Sequence, residues 1–130
     1  MTDTRATIET LLDQAYAARR ANDAEAAAAC FAEDGRFMPN GAPAATKSRA
    51  EQVSAMKSMF EAFEVVTLSE HCRIIDPPRA VVHWRGQFRV QNGQVGETDI
   101  LDLIEVRDGR IASLTTFFDT AYASALAAPA

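Results

Sequence analysis

The sequence predicts an α+β domain in which helices come first and pack on a mainly antiparallel sheet. Up to Phe63 apolar residues recur at spacings of three and four, and beyond it the period falls to two. Asn92-Gly93 and Asp108-Gly109 supply the positive φ of tight hairpin turns, and with Pro77-Pro78 they divide the second half into strand-length runs. The length of 130 residues and mass of 14.1 kDa suit one core, so a single domain is expected over 1–130, ordered from about 5 to 122.

Between Arg5 and Ala21, the residues Ile8, Leu11, Leu12, Ala15 and Tyr16 make one apolar stripe of a first helix. Asn22-Asp23 interrupts it, and Asp23 can cap a short, alanine-rich second helix through Cys30-Phe31. Glu33-Asp34-Gly35 ends that helix and leads into a short strand, Arg36-Phe37-Met38. The loop from Pro39 to Lys47 is long for a compact domain and could lie across a pocket mouth. Ser48-Arg49-Ala50-Glu51 fits a capping box, opening a third helix that runs to about Phe63 with the stripe Val53, Met56, Met59, Phe60 and Phe63. Four strands follow, roughly 64–76, 79–91, 95–107 and 110–120, and Ala123–Ala130 reads as a frayed tail.

A net charge of -5 and a pI near 5.0 argue against a nucleic-acid groove or an anionic membrane surface, both of which need a concentrated positive field. No apolar run approaches the roughly 18 residues of a membrane span, and a cytoplasmic protein is expected. Cys30 and Cys72 stand in neither a CxxC pair nor a metal-ligand spacing and read as reduced, half-buried packing residues. No phosphate loop, zinc spacing or nucleophile elbow is present, so neither cofactor nor metal is expected.

In the run Asp99–Val106, period-two spacing places Ile100, Asp102, Ile104 and Val106 on one sheet face and Leu101 and Leu103 on the other. Alternation likewise sets Leu114 and Phe118 against Ile111 and Phe117. A half-solvated sheet would alternate more cleanly, and the helices can cover one face only. The second face is expected to meet another copy, giving a homodimer through the outer sheet face.

Two segments, Phe31-Ala32-Glu33-Asp34-Gly35 and the stretch from Asp99-Ile100-Leu101-Asp102 through Asp108-Gly109-Arg110-Ile111 to Phe117-Phe118-Asp119, sit in this order of elements. With them the chain, from about Ile8 to Tyr122, resembles the nuclear transport factor 2 superfamily and its SnoaL-like and ketosteroid isomerase-like members. The resemblance implies three N-terminal helices on a strongly curved mixed sheet, a cone-shaped apolar cavity, and often a dimer through the outer face. It implies a small hydrophobic ligand bearing a carbonyl, hydroxyl or epoxide oxygen. Phe37, Met59, Phe60, Phe63, Ile100, Leu114, Thr116 and Phe118 are the candidates to line the cavity, although aromatic residues at such spacings also serve as plain core.

Asp102, in Ile-Leu-Asp-Leu-Ile, is similar in context to an oxyanion-hole aspartic acid of the steroid isomerases, and Tyr16 matches the position of its tyrosine partner. The resemblance thus implies a neutral acid and a phenol that donate hydrogen bonds to a substrate oxygen. A structural salt bridge from Asp102 to Arg85 or another arginine is the alternative. The isomerase base has no counterpart, since Phe37-Met38-Pro39-Asn40-Gly41 holds no carboxylate, so steroid isomerase activity is not expected. Thr116 stands where the related epoxide hydrolases carry an acid.

The strand around Trp84 admits two placements. Periodicity sets Val82, Trp84, Phe88 and Val90 on one face and His83, Arg85, Gln87 and Arg89 on the other. An ungapped count from Asn92-Gly93 along the resemblance aims His83 and Arg85 into the cavity beside Asp102 and turns Trp84 to the dimer partner. There His83 would be a general base and Arg85 an anion clamp or the partner of Asp102. His71 reads as an ordinary strand residue near the cavity rim. The functional expectation is an acid/base isomerase, cyclase, dehydratase or hydrolase built on Asp102, His83, Tyr16 and Arg85, or alternatively a non-catalytic ligand-binding or dimerisation module.

Overall fold

The computed structural model describes residues 3–41 and 48–128; most of the loop expected between Pro39 and Lys47 lies outside them. Helix α1 (Arg5–Arg20) opens on a reciprocal cap between Thr4 and Thr7, and α2 (Ala24–Ala29) on Asp23, whose side chain accepts from the Ala26 amide. The next element is a strand, β1 (Phe31–Pro39), so α2 stops short of Phe31 and Glu33-Asp34-Gly35 lies inside β1. The cause is tertiary. The Cys30 carbonyl accepts from the Ile111 amide at 2.8 Å, which draws the chain into the sheet two residues before its propensity would end the helix.

Ser48 caps α3 (Arg49–Ala62), and the chain then runs through β2 (Glu64–Asp76), β3 (Arg79–Arg89), β4 (Val95–Arg107) and β5 (Arg110–Phe117). These bounds agree with the period-two reading to within three residues. The sheet order is β1-β5-β4-β3-β2, with β1 parallel to β5 and every other pair antiparallel. Bulges in β2 and β5 bend the sheet around the helices. In β5, Glu105 pairs with Ser113 while Val106 pairs with Ile111, which leaves Ala112 as the extra residue. Ile111 and Leu114 therefore both turn inward, although strict alternation sets them on opposite faces.

The inner face carries Val82, Trp84, Ile100, Ile104, Val106, Ile111 and Leu114, packed beneath Ile8, Leu12, Met56 and Phe60 of the helices. Beyond β5 the chain forms a further helix, α4 (Thr120–Ala127), where a frayed tail from Ala123 was expected. Asp119 caps it by accepting from the Tyr122 amide, and the Asn92 side-chain amide donates to the carbonyls of Leu126 and Ala128 at its end. Gly96 makes the seat: a Cβ there would lie 2.4 Å from Leu126 and 2.8 Å from the Tyr122 hydroxyl. Among the described residues no helix is long and apolar enough to cross a membrane. Cys30 is buried and Cys72 exposed, so of the two only Cys30 packs as expected.

Gln52 ties the helices to β1. Fully buried on α3, it donates from Nε2 to the carbonyls of Ala32, Glu33 and Gly35 and accepts from Arg49 at 2.7 Å. Gln52→Ala orphans these groups in the interior, so a loss of about 2–3 kcal/mol is expected in urea unfolding, against no change for exposed Lys57→Ala. An unchanged midpoint for Gln52→Ala would refute this account of β1.

Candidate functional site

Asp102 lies at the middle of β4, on the inner face, and is wholly inaccessible to solvent. Three donors converge on its Oδ2: the Tyr16 hydroxyl at 2.5 Å, the Trp84 indole N–H at 2.8 Å and the Arg19 guanidinium at 2.9 Å. Tyr16 and Arg19 are three apart on α1 and so share the face that meets the sheet. Trp84, paired with Ile100 on β3, reaches Asp102 along the diagonal of the ladder. The Arg19 carbon Cζ also stands 5.2 Å from the Tyr16 ring and 5.8 Å from the Trp84 ring. Oδ1 of Asp102 is buried and has no hydrogen-bond partner among the described residues.

This arrangement differs from a neutral acid aimed at a ligand. A salt-bridged carboxylate accepts three times at Oδ2, and the Tyr16 and Trp84 protons are spent on it. Burial, then the neighbouring Asp102 charge, pushes the Tyr16 hydroxyl well above its usual range, with Arg19 opposing. For Arg19 burial is the largest influence and works downward, but the charge and hydrogen bond of Asp102 together with Tyr16 and Cys30 outweigh it and leave the guanidinium above its ordinary value.

His83 and Arg85 are not beside Asp102. They lie on the outer face, where His83 contacts Asp99 at 3.3 Å and stacks on His71 with ring centroids 5.3 Å apart. Arg85 pairs with Glu97 at 2.9 Å and Asp99 at 3.2 Å. The ungapped count along the resemblance is thereby corrected, because β3 and β4 pair without interruption from Arg79 to Arg89 and hold Trp84 on the Asp102 side. The arginine partner of Asp102 is Arg19, and His71 stands on the outer face, away from the cavity rim.

Next to this cluster, under α4, is a cavity of about 90 Å³. Phe37, Met59, Phe60, Phe63, Ile100, Thr116 and Phe118 line it. Leu114 does not; the Ala112 bulge sets it in the packed core. Trp84 and Phe88 extend the aromatic wall, and Tyr122, Ala123 and Leu126 close it from α4. Gly86 lets the Trp84 and Phe88 rings meet at 5.8 Å, since a Cβ would lie 2.6 Å from Phe88 and 2.7 Å from Trp84. Arg19 reaches this wall and was missed from sequence. Its signal was there: Leu12, Ala15, Tyr16 and Arg19 continue one stripe at spacings of three and four, so a charge falls on the buried face.

Because native Tyr16 holds its proton above the usual 10.0 while an unfolded tyrosine releases it there, the unfolded chain binds fewer protons at alkaline pH. The stability due to Tyr16 is full below pH 10.0 and falls as pH rises toward the native value. Tyr16→Phe is expected to lose about 1–3 kcal/mol at neutral pH and to show a shallower alkaline decline, measured by urea unfolding across pH. Parallel declines in the two proteins would contradict the assignment.

The fold is shared with solved structures. An NTF2-like protein of unknown function from Burkholderia pseudomallei matches with TM-score 0.80 at 18% identity, covering 95% of this chain and 98% of that one. A protein provisionally named a polyketide cyclase, from Xanthomonas campestris, gives 0.79 at 20% identity over 95% and 98% of the two chains. A ketosteroid isomerase-like fold from Catenulispora acidiphila, solved in complex with trimethylamine, gives 0.79 at 13% identity over 90% and 91%. No curated protein matches the chain. The sequence profile of the SnoaL-like domain matches residues 12–114, from the buried stripe of α1 to the inward Leu114 of β5. A match of that extent, on an architecture these structures share end to end, means that the chain belongs to the SnoaL-like domain family.

Proposed function

We propose that the domain binds a small hydrophobic, oxygen-bearing molecule in the cavity beneath α4, as a homodimer in the cytoplasm. One observation carries the binding reading: an apolar, aromatic-walled cavity adjoins a buried charged cluster that hydrophobic packing alone would not require. Among the described residues that line the cavity there is no carboxylate, histidine or cysteine, so no obvious general base faces it. Binding is therefore placed before catalysis. The second reading, an isomerase, cyclase, dehydratase or hydrolase, is favoured by the name polyketide cyclase given to one structural neighbour.

A thermal-shift screen against steroids, aromatic polyketides, terpenoid epoxides and phenolic ketones tests the binding reading. One class is expected to stabilise the protein, by about 2.7 kcal/mol at a hundredfold excess over Kd. The effect should vanish in Ile100→Phe, which adds bulk to the cavity wall. No shift with any class, or an undiminished one in the variant, would count against it.

The dimer reading rests on the outer sheet face. Leu101, Leu103 and Phe117 are 42%, 41% and 43% exposed there, and Leu101 pairs directly with Phe117. Light scattering at micromolar concentration should give twice 14.1 kDa for the parent and a single mass for Leu103→Glu. A monomeric parent sinks the idea.

A further inference from the structure

The cavity's apolar wall holds one charged residue among those described, Arg19, which is 6% exposed. A guanidinium carries five N–H donors and no acceptor. Arg19 makes one hydrogen bond among the described residues, from Nη1 to Asp102, while Tyr16 and Trp84 flank its faces. Tyr16 and Trp84 have donated to the same oxygen and have no donor left to offer. The donors Arg19 does not use have no protein acceptor among the described residues and are left for a molecule in the cavity to meet.

We propose that Arg19 anchors the ligand of this cavity by donating to a neutral carbonyl oxygen, on an aromatic ketone or a molecule of that type. The inference rests on the ligand-binding reading and names what the site selects. The Asp102 carboxylate already balances the Arg19 charge, so an anionic ligand would bring an uncompensated charge into an apolar space. A cation would face the guanidinium. A hydroxyl would bring a donor that Arg19 cannot accept and that would have to turn to a wall hydroxyl such as Thr116, whereas a carbonyl oxygen only accepts and so matches a residue that only donates. Phe60, Phe88 and Phe118 supply flat surfaces for the aryl part. Asp102, with Tyr16 and Trp84, is the positioning group that fixes the direction of the guanidinium fork.

Calorimetric titration with acetophenone, with α-methylstyrene, which keeps its shape but lacks the carbonyl, and with benzoate tests the proposal. Acetophenone should bind about tenfold more tightly than α-methylstyrene, as a hydrogen bond to a charged donor predicts. Its carbonyl stretch should fall to lower wavenumber in the complex than in hexane. Arg19→Met alone would strand a buried carboxylate, so the variant is Arg19→Met with Asp102→Asn, in which the preference should shrink to about twofold or less. If that variant does not fold, the infrared shift in the parent decides. Equal affinities of the two neutral probes, an unshifted stretch or tighter binding of benzoate would overturn the role of Arg19 and leave the cavity a ligand site. Binding of none of the three would overturn both.

Discussion

A carboxylate with no access to water governs how this molecule is assembled. At the centre of β4 a hydroxyl, an indole and a guanidinium surround one oxygen of Asp102. Those three groups come from α1 and β3, so satisfying one charge fixes the helix against two adjacent strands. Removing a single partner from such a buried set generally costs about 3–5 kcal/mol, because the remaining charge keeps its desolvation penalty. The cluster therefore specifies where α1 sits more sharply than apolar packing could, since Ile8, Leu11 and Leu12 would tolerate small slides along the sheet.

The cavity follows from that placement together with two backbone features. The bulges in β2 and β5 bend the sheet, and Phe37, Phe63 and Phe118 stand around the gap on its inner face. The gap is then closed by α4, seated on the bare backbone of Gly96 and tied at its end by Asn92. With Arg19 on the wall, the site combines broad apolar contact with a single strong hydrogen-bond donor. A ligand of the proposed kind would be selected by such a site through its shape and its acceptor atom.

Much of this was legible beforehand. The switch of hydrophobic period at Phe63 and the two Gly turns located four strands and three helices, and alternation along β4 put Asp102 on the inner face with Ile100 and Ile104. The same alternation placed Trp84 correctly, while the ungapped count from a relative did not. Local period reports the physical constraint on this chain, whereas counting across a distant resemblance assumes that no turn or bulge has changed. Alternation failed in β5, where one extra residue restores Leu114 to the inside. The chain beyond Ala123, expected to fray, forms part of α4 instead, although Asp119 as a cap and Tyr122 with Leu126 at helical spacing were visible signals.

What the sequence determined by itself was the set of elements and the face each residue presents, because both depend on short-range periodicity and turn chemistry. Which of the exposed-seeming charges would be buried was settled only in three dimensions. Arg19 and Arg85 are equivalent as residue types, and either could have met Asp102. Packing α1 across β3 and β4 delivered Arg19 to the carboxylate and left Arg85 on the outer face with Glu97 and Asp99. An ion pair between residues 83 positions apart has no local signature, since it exists only once the helix and the sheet have met.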